Sequence, residues 1–344
     1  MTAPLREGSG ASARTINFRE GEGMRLLTWL MVILTLPTAF PEAVLAQSFP
    51  SKPITAIWPF PPGNTAENKL RAMFGEAAKS LGQPIVIEYR PGAGGRQGVV
   101  AVQKSPPDGH VIAFATDTVL TVLAQASASF APRVDRDYVA VHQVYGVPLV
   151  LTAHASLPFK DVKGWIAYAK ANPGKLTYGT PGTGTTSHLA MVRLTDTLGV
   201  SMLHIPYAGS PYQADLINGT FNMMAFTTTV LTPHIKAGKL NALAQVGSRR
   251  ATQLSDVPTF REAGFDFEMD TWNTFVAPPG TPAETVAKIN AAFNAAQKVP
   301  EVAKIFASDE SNVYFLTPQQ ASENIRAEIR RVLPVIKKMN LTFD

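Results

Sequence analysis

Three turns rich in glycine, proline and hydroxyl side chains constrain this chain most. They are Pro61-Pro62-Gly63-Asn64-Thr65, Pro91-Gly92-Ala93-Gly94-Gly95 and Thr180-Pro181-Gly182-Thr183-Gly184-Thr185-Thr186-Ser187. Each stands between a short apolar run and a segment with helical spacing. The runs Ile54–Trp58, Ile85–Tyr89 and Val111–Ala115 read as buried strands. Between the first two, Leu70, Met73, Phe74 and Ala77 recur at i, i+3, i+4 and i+7, which predicts a helix over 65–81 ended by Gly82, with Pro84 preventing its return. A short helix carrying Val99, Val100 and Val102 follows the second turn. A strand–turn–helix rhythm of this kind predicts an α/β fold, with a mainly parallel sheet covered by helices on both faces.

The rhythm resumes after Gly146-Val147-Pro148. Strands are expected at Leu149–Thr152, Thr177-Tyr178, Leu203–Pro206, Phe221–Phe226 and Leu240–Val246. Helices are expected at Lys160–Ala171, from about Ser187, and at Thr232–Ala237 before Gly238. Three segments have capping-box form with proline at the first helical position: Ser210-Pro211-Tyr212-Gln213, Thr281-Pro282-Ala283-Glu284 and Thr317-Pro318-Gln319-Gln320. An apolar strand, Thr274–Ala277, follows Asp270-Thr271-Trp272. Two crossovers, at 146–148 and 270–272, divide the chain into two α/β lobes, 47–146 plus 270–344 and 147–269. Such a division permits hinge closure on a ligand.

Residues 1–46 read as an address. Met24-Arg25 precedes an apolar run, Leu26–Leu36, which Pro37 ends, and Val44-Leu45-Ala46 offers a cleavage site before Gln47. This is the order of a secretory signal. The apolar run is short for a membrane anchor, the competing reading, and Met24 is a candidate true start. The expectation is export out of the cytoplasm. The 344 residues hold 31 Lys+Arg against 26 Asp+Glu, a net +5, with no basic stripe, so nucleic acid is not expected as a partner.

Chemistry is narrowed by what is missing. Without cysteine there is no thiol catalysis, Cys-ligated zinc or disulfide framework. There is no G-x-S-x-G or H-E-x-x-H, and the six histidines lack ligand spacing. Gly92–Gln97 fails the dinucleotide fingerprint at its last place, and Thr185 stands where a phosphate loop needs lysine. No cofactor and no metal are called for. A Ser187–His188 hydrolase is poorly supported, because sequence neighbours diverge on a helix. What remains is a receptor. In a parallel sheet these turns lie at the carboxyl ends of strands, where ligands bind. The helix after each turn points free N–H groups and the positive end of its dipole at a ligand, and Thr and Ser add hydroxyl donors. That combination suits carboxylates without a buried arginine.

The chain also resembles the periplasmic substrate-binding proteins of tripartite tricarboxylate transporters, the Bug or TctC-like family. The resemblance is carried by Ser51-Lys52-Pro53-Ile54 with Pro59-Phe60-Pro61-Pro62-Gly63, and by Arg90–Gly95 and Pro107-Asp108-Gly109. It continues through Ala167–Leu176, Thr186–Ala190, Pro206–Ser210, Pro233–Leu240, Asp256–Thr259 and Ala277–Pro282, in order from about residue 49 to the C-terminus. It implies a two-lobed, type II periplasmic-binding fold without catalytic activity, and it implies the periplasm as the place of export. The implied partners are a small-molecule carboxylate held between the lobes and the permease subunits of a membrane transporter. A receptor for a sensor kinase is the alternative, and a monomer is expected.

The candidate ligand-binding residues are Phe60, Pro62, Gly63, Asn64, Thr65, Gly92, Ala93, Gly94, Thr116, Asp117, Thr180, Thr183, Gly184, Thr185, Thr186, Ser187, Tyr207, Thr227 and Thr228. Several carry two readings. Asp117 lines the cleft or caps a helix, and Tyr207 reaches the cleft or packs. His188 bonds the loop backbone or the ligand. Trp58 and Trp272 stack on an aromatic ligand or fill core and hinge. Where the family's first turn often runs Pro-Pro-Gly-Gly-Gly-Thr-Asp, this chain has Asn64 and Thr65, expected to narrow the mouth, with Glu67 at the place of the acid. Lys69 either meets a second carboxylate or lies on a solvated face. Thr227-Thr228-Thr229 replaces an acid often found there, which removes repulsion toward a dianion and a partner for a ligand ammonium. A di- or tricarboxylate, aliphatic or aromatic, is the expected ligand.

Overall fold

Strand β1 (Ile54–Trp58) is almost wholly buried and pairs in parallel with β2 (Ile85–Tyr89) and β3 (Val111–Thr116). Both faces of such a strand need covering. Helix α1 (Thr65–Leu81) covers one, with Leu70, Met73, Phe74 and Ala77 all buried as their spacing demands. Helix α2 (Arg96–Gln103) covers the other with Val99 and Val102. The computed structural model describes residues 48–63, 65–207 and 212–339. The expected signal region 1–46 with its alternative start at Met24, Asn64, the side chain of Thr65, and Ser210-Pro211 of the first capping box lie outside the described residues.

Three further strands complete the first sheet: β4 (Val139–Gly146), β10 (Asn273–Ala277) and β11 (Asn312–Val313), in the order β11-β4-β10-β3-β1-β2. The second sheet holds β5 (Leu149–His154), β6 (Thr177–Thr180), β7 (Leu203–Pro206), β8 (Met223–Thr227) and β9 (Leu240–Gln245), ordered β7-β6-β8-β5-β9. Its helices are α3 (Val162–Ala171), α4 (Thr186–Leu198), α5 (Tyr212–Asn218) and α6 (Thr228–Lys236). Helices α7 (Ala283–Lys298), α8 (Pro300–Ala307) and α9 (Pro318–Met339) follow β10.

Neither sheet is mainly parallel, against expectation. β10 runs antiparallel to both β3 and β4, and β5 antiparallel to both β8 and β9. β5 and β10 are the strands on which the chain enters a new sheet. A strand that arrives from the other sheet, rather than from a helical crossover within its own, is free of the parallel constraint.

The chain thus passes between the sheets at 146–148 and 270–272, and these passages lie side by side. The Val147 N–H donates to Thr271 Oγ1 at 2.6 Å, and that hydroxyl donates to the Val147 carbonyl at 2.7 Å. A Cβ at Gly146 would lie 1.8 Å from the Thr271 carbonyl oxygen, so only glycine permits this approach. Helix α9 is a further tie. Its Ala321 and Ile325 join the core beside β3, while Val332 and Ile336 join the core around Trp165, Met191 and Leu194.

Local chemistry decides three other helix starts. At α9 the box is realised: Thr317 N–H donates to Gln320 Oε1 at 2.9 Å and Gln320 N–H to Thr317 Oγ1 at 3.2 Å. At α7 it is not. Pro282 is itself the cap residue, and the Thr281 hydroxyl turns back to the Pro278 carbonyl at 2.8 Å. Helix α6 starts four residues before the expected Thr232, with Pro233 inside it, because the Thr228 N–H is anchored on the Pro148 carbonyl at 3.0 Å.

Candidate functional site

A cavity of about 430 Å³ lies where strand ends from the two sheets meet beside the passages. From the first sheet come Phe60, Gly94, the end of β3 with Thr116, Asp117 and Thr118, and the start of β10 with Trp272 and Asn273. From the second come Leu149, Pro181 to Ser187 except Gly182, and the end of β8 with Phe226 and Thr227. Val147, Thr271 and Leu123 close it.

The second sheet supplies the polar wall through α4. Its N-cap is Thr185, whose side chain accepts from the His188 N–H and donates to the Gly182 carbonyl at 2.8 Å. The N–H groups of Thr186 and Ser187, at the first two helical positions, have no intrahelical acceptor, and the dipole adds partial positive charge there. No lysine, arginine or histidine is among the described lining residues. Any attraction for an anion therefore comes from backbone N–H groups, the helix end and hydroxyls.

Asp117 is the one charged residue among the described residues of the wall. Its backbone N–H is held by the Trp272 carbonyl at 3.0 Å, which fixes it at the end of β3. Its Oδ1 lies 2.6 Å from the Thr118 N–H, 3.1 Å from Thr118 Oγ1 and 3.2 Å from Thr186 Oγ1. The two hydroxyls are themselves 2.7 Å apart and connect the first sheet to the second. Burial pushes the Asp117 carboxyl up to about 6, against the donors to Oδ1, which pull it down. The chain leaves Asp117 through a π-helical turn, Val119–Leu123. That turn puts Leu120 in one core, Val122 in the other and Leu123 at the cavity.

The structure brings together ten of the expected residues: Phe60, Gly94, Thr116, Asp117, Thr183, Gly184, Thr185, Thr186, Ser187 and Thr227. Seven others do not line the cavity. Pro62 and Gly63 sit on an exposed loop, where the Gly63 N–H donates to Glu67 Oε2 at 2.8 Å. Gly92 and Ala93 precede the lining Gly94 in one tight turn, with Ala93 at φ +48°. Thr180 Oγ1 bonds His204 Nε2 at 2.7 Å. Tyr207 is turned away, its hydroxyl donating to Asp215 Oδ2 at 2.6 Å. Thr228 is buried, facing Glu310. Asn64 and the Thr65 side chain fall outside the described residues.

Ser187 lines the cavity, yet its hydroxyl donates to the Ala225 carbonyl at 2.5 Å, leaving its N–H as the group free to meet a ligand. His188 takes the backbone role: Nδ1 accepts from the Gly184 N–H at 3.0 Å and the ring stacks on His204 at 4.0 Å. Burial holds its imidazole down at about 4, so it is neutral. Trp58 is core, packed 4.6 Å from Phe114, while Trp272 contributes to both core and cavity.

Lys69 fits neither expectation. It is 4% exposed, its ammonium paired with Asp309, 2.9 Å from Ser311 Oγ and 4.2 Å from the Tyr145 ring centroid. Glu67 is likewise occupied, accepting from Tyr89 Oη at 2.6 Å and Arg71 Nε at 2.7 Å, and these donors hold its carboxyl low.

Sequence reasoning missed Thr118, Leu123, Val147, Leu149, Phe226, Thr271 and Asn273. Most flank the two passages or end a strand. Their signal was position next to Asp117, Val147-Pro148 or Trp272, not residue type.

Two mixed sheets, two adjacent passages and a cavity at the strand ends define the class of two-lobed periplasmic binding proteins. Residues 70–341 match the family model described as the tripartite tricarboxylate transporter family receptor, and the chain belongs to that family. Among its relatives is BugT of Bordetella pertussis, 33% identical over 298 residues, spanning 86% of this chain and 91% of that one. Among solved structures it is similar to MatC of Rhodopseudomonas palustris with bound malate, at 29% identity and a TM-score of 0.68, covering 84% of this chain and all of that one. A second R. palustris protein, solved with adipate, is 28% identical with a TM-score of 0.71, over 86% and 99% of the two chains.

Proposed function

We propose that this protein is an extracytoplasmic receptor that binds a small organic carboxylate in the cavity between two hinged lobes and delivers it to a membrane permease. The observation that carries the reading is the cavity wall itself. The start of α4 presents the Thr186 and Ser187 N–H groups beside hydroxyls, with no basic side chain among the described lining residues, at the junction of both sheets. A helix N-terminus is a ready anion site. The malate and adipate held by two similar proteins support a carboxylate in particular.

The lobes of this reading are 47–146 plus 270–344 and 147–269, joined at the paired passages, with α9 bridging them. Asp117 Oδ1 and Thr186 Oγ1, 3.2 Å apart, already link the two lobes at the cavity. The protein performs no chemistry on its ligand: Ser187 and His188 are each bound to loop or strand backbone and form no dyad. Export through the N-terminal segment places it in the periplasm, where a tripartite permease is its partner.

Thermal denaturation against a panel of mono-, di- and tricarboxylates, aliphatic and aromatic, tests this. A ligand that binds only the folded state at a hundredfold excess over its Kd adds about 2.7 kcal/mol to stability. At least one acid should raise the melting temperature in a concentration-dependent way. No shift with any acid contradicts the proposal.

A further inference from the structure

We infer that Asp117 is a proton-bearing donor to the ligand, so that the receptor takes up one proton together with its carboxylate. The inference rests on the carboxylate reading above and adds to it a specific acid and a specific atom.

The hydrogen-bond pattern on Asp117 is one-sided. Oδ1 is within reach of three donors, whereas Oδ2 has no hydrogen-bond partner among the described residues. A carboxylate shares its charge over both oxygens, and both then seek donors. A neutral acid has one acceptor-rich carbonyl oxygen and one hydroxyl, and this site supplies donors to one oxygen alone. The residue lines the cavity and is only 7% exposed, so the little surface it keeps faces the ligand space, and the oxygen without a partner is the one we assign to it. Among the described lining residues no cation is present to neutralise either Asp117 or an incoming anion. Two ionised carboxylates a few ångströms apart in a water-poor cleft repel strongly, and sharing one proton between them removes the repulsion. With its proton on Oδ2, Asp117 becomes a donor to the ligand oxygen, opposite the Thr186 and Ser187 N–H groups.

The groups around Asp117 agree with this. Glu328 on α9 adds negative charge and raises the Asp117 carboxyl, although it is itself paired with Arg193 and Arg331, each at 3.1 Å. Tyr314, which donates to the Thr271 carbonyl, is pushed up by burial, with Asp270 and Asp117 acting in the same direction and Arg249 against it. On α4, His188 is neutral above about 4, and burial also lowers His204 behind it. Asp117, near 6, is then the group whose proton content changes as a ligand arrives at neutral pH. The proton comes from solvent and returns there when the ligand leaves; no bond other than O–H is made or broken.

Calorimetric titration of the full-length protein with malate, adipate and benzoate at pH 6, 7 and 8, in buffers of different ionisation enthalpy, tests the inference. If only the protonated form binds, the apparent Kd rises about fiftyfold from pH 6 to pH 8, with uptake approaching one proton per ligand at pH 8. Asp117→Asn keeps a donor at the Oδ2 position, so it should bind with a pH-independent Kd and no proton uptake. A wild-type Kd that varies less than about twofold over this range, without proton uptake, overturns the inference while leaving carboxylate binding standing. Asp117→Asn retaining the full wild-type pH dependence overturns it too. Failure of all three acids to bind at pH 6, with the rest of the carboxylate panel silent as well, overturns it together with the carboxylate reading.

Discussion

Asp117 shows how a single residue can carry a cost that the fold does not require. Its carboxyl is raised from 3.8 to about 6 because ionisation in a buried site is unfavourable. The native state therefore binds more protons than the unfolded chain between those values, and stability contributed by this group falls as pH rises through that window. Above about pH 6 the full penalty is present, about 3 kcal/mol for a shift of this size. Asp117→Asn should remove it. Urea denaturation should find the variant more stable than wild type by up to about 3 kcal/mol at pH 8, the difference closing toward pH 4. A variant less stable at pH 8 would mean that the charge is compensated in the fold. An acid retained at such a cost is what a binding site predicts and a mere helix cap does not. Lys69 teaches the reverse lesson. A lysine on a helix reads as solvated, and only the tertiary position of Asp309, 240 residues away, shows why it is buried.

At the scale of elements, legibility followed local chemistry. The helices whose inward faces repeat every three or four residues, α1 and α9 above all, were readable because burial and periodicity coincide. The capping box at Thr317 was readable because its partners are three residues apart. The box at Thr281 failed because the same hydroxyl found a competing carbonyl at Pro278. Strand β4 was not foreseen: its Val139–Gly146 sequence contains His142 and Gln143, which interrupt an apolar run. Inside, His142 Nε2 meets Gln297 Oε1 at 2.8 Å and Asn324 Nδ2 reaches Gln143 Oε1 at 3.2 Å, so the polar residues are partnered by helices that no local pattern announces. The Gly/Thr turn before α4 was the clearest site signal, because an N-cap and free helical N–H groups are local properties. Thr185→Ala removes that cap and should cost about 1 kcal/mol of stability. It should also weaken carboxylate binding, since the first turn of α4 then frays at the ligand. Denaturant melts and calorimetry on the same sample check both, and unchanged affinity would detach the cap from the site.

For the whole molecule, the decisive feature is the close pairing of the two passages. Their positions could be placed in the sequence, at Gly146-Val147-Pro148 and Asp270-Thr271-Trp272, but their contact could not, since 124 residues separate Val147 from Thr271. The same is true of α9, whose two halves enter different cores. Gly146→Ala would force its methyl group into the Thr271 carbonyl and spread the passages. Overpacking of this kind costs roughly 1–3 kcal/mol. The melting temperature should fall, and small-angle scattering with and without carboxylate should show a smaller ligand-dependent compaction than in wild type. Unaltered compaction would mean that the hinge lies elsewhere.

The central claim is that backbone N–H groups at the start of α4, with Asp117 opposite, hold a carboxylate where the two sheets meet. A crystal structure of the protein with the tightest-binding acid of the panel tests it most directly. The account predicts carboxylate oxygens within hydrogen-bond distance of the Thr186 and Ser187 nitrogens and of Asp117 Oδ2. A ligand seated outside this cavity, or one whose carboxylate is met by lysine or arginine side chains, would contradict it.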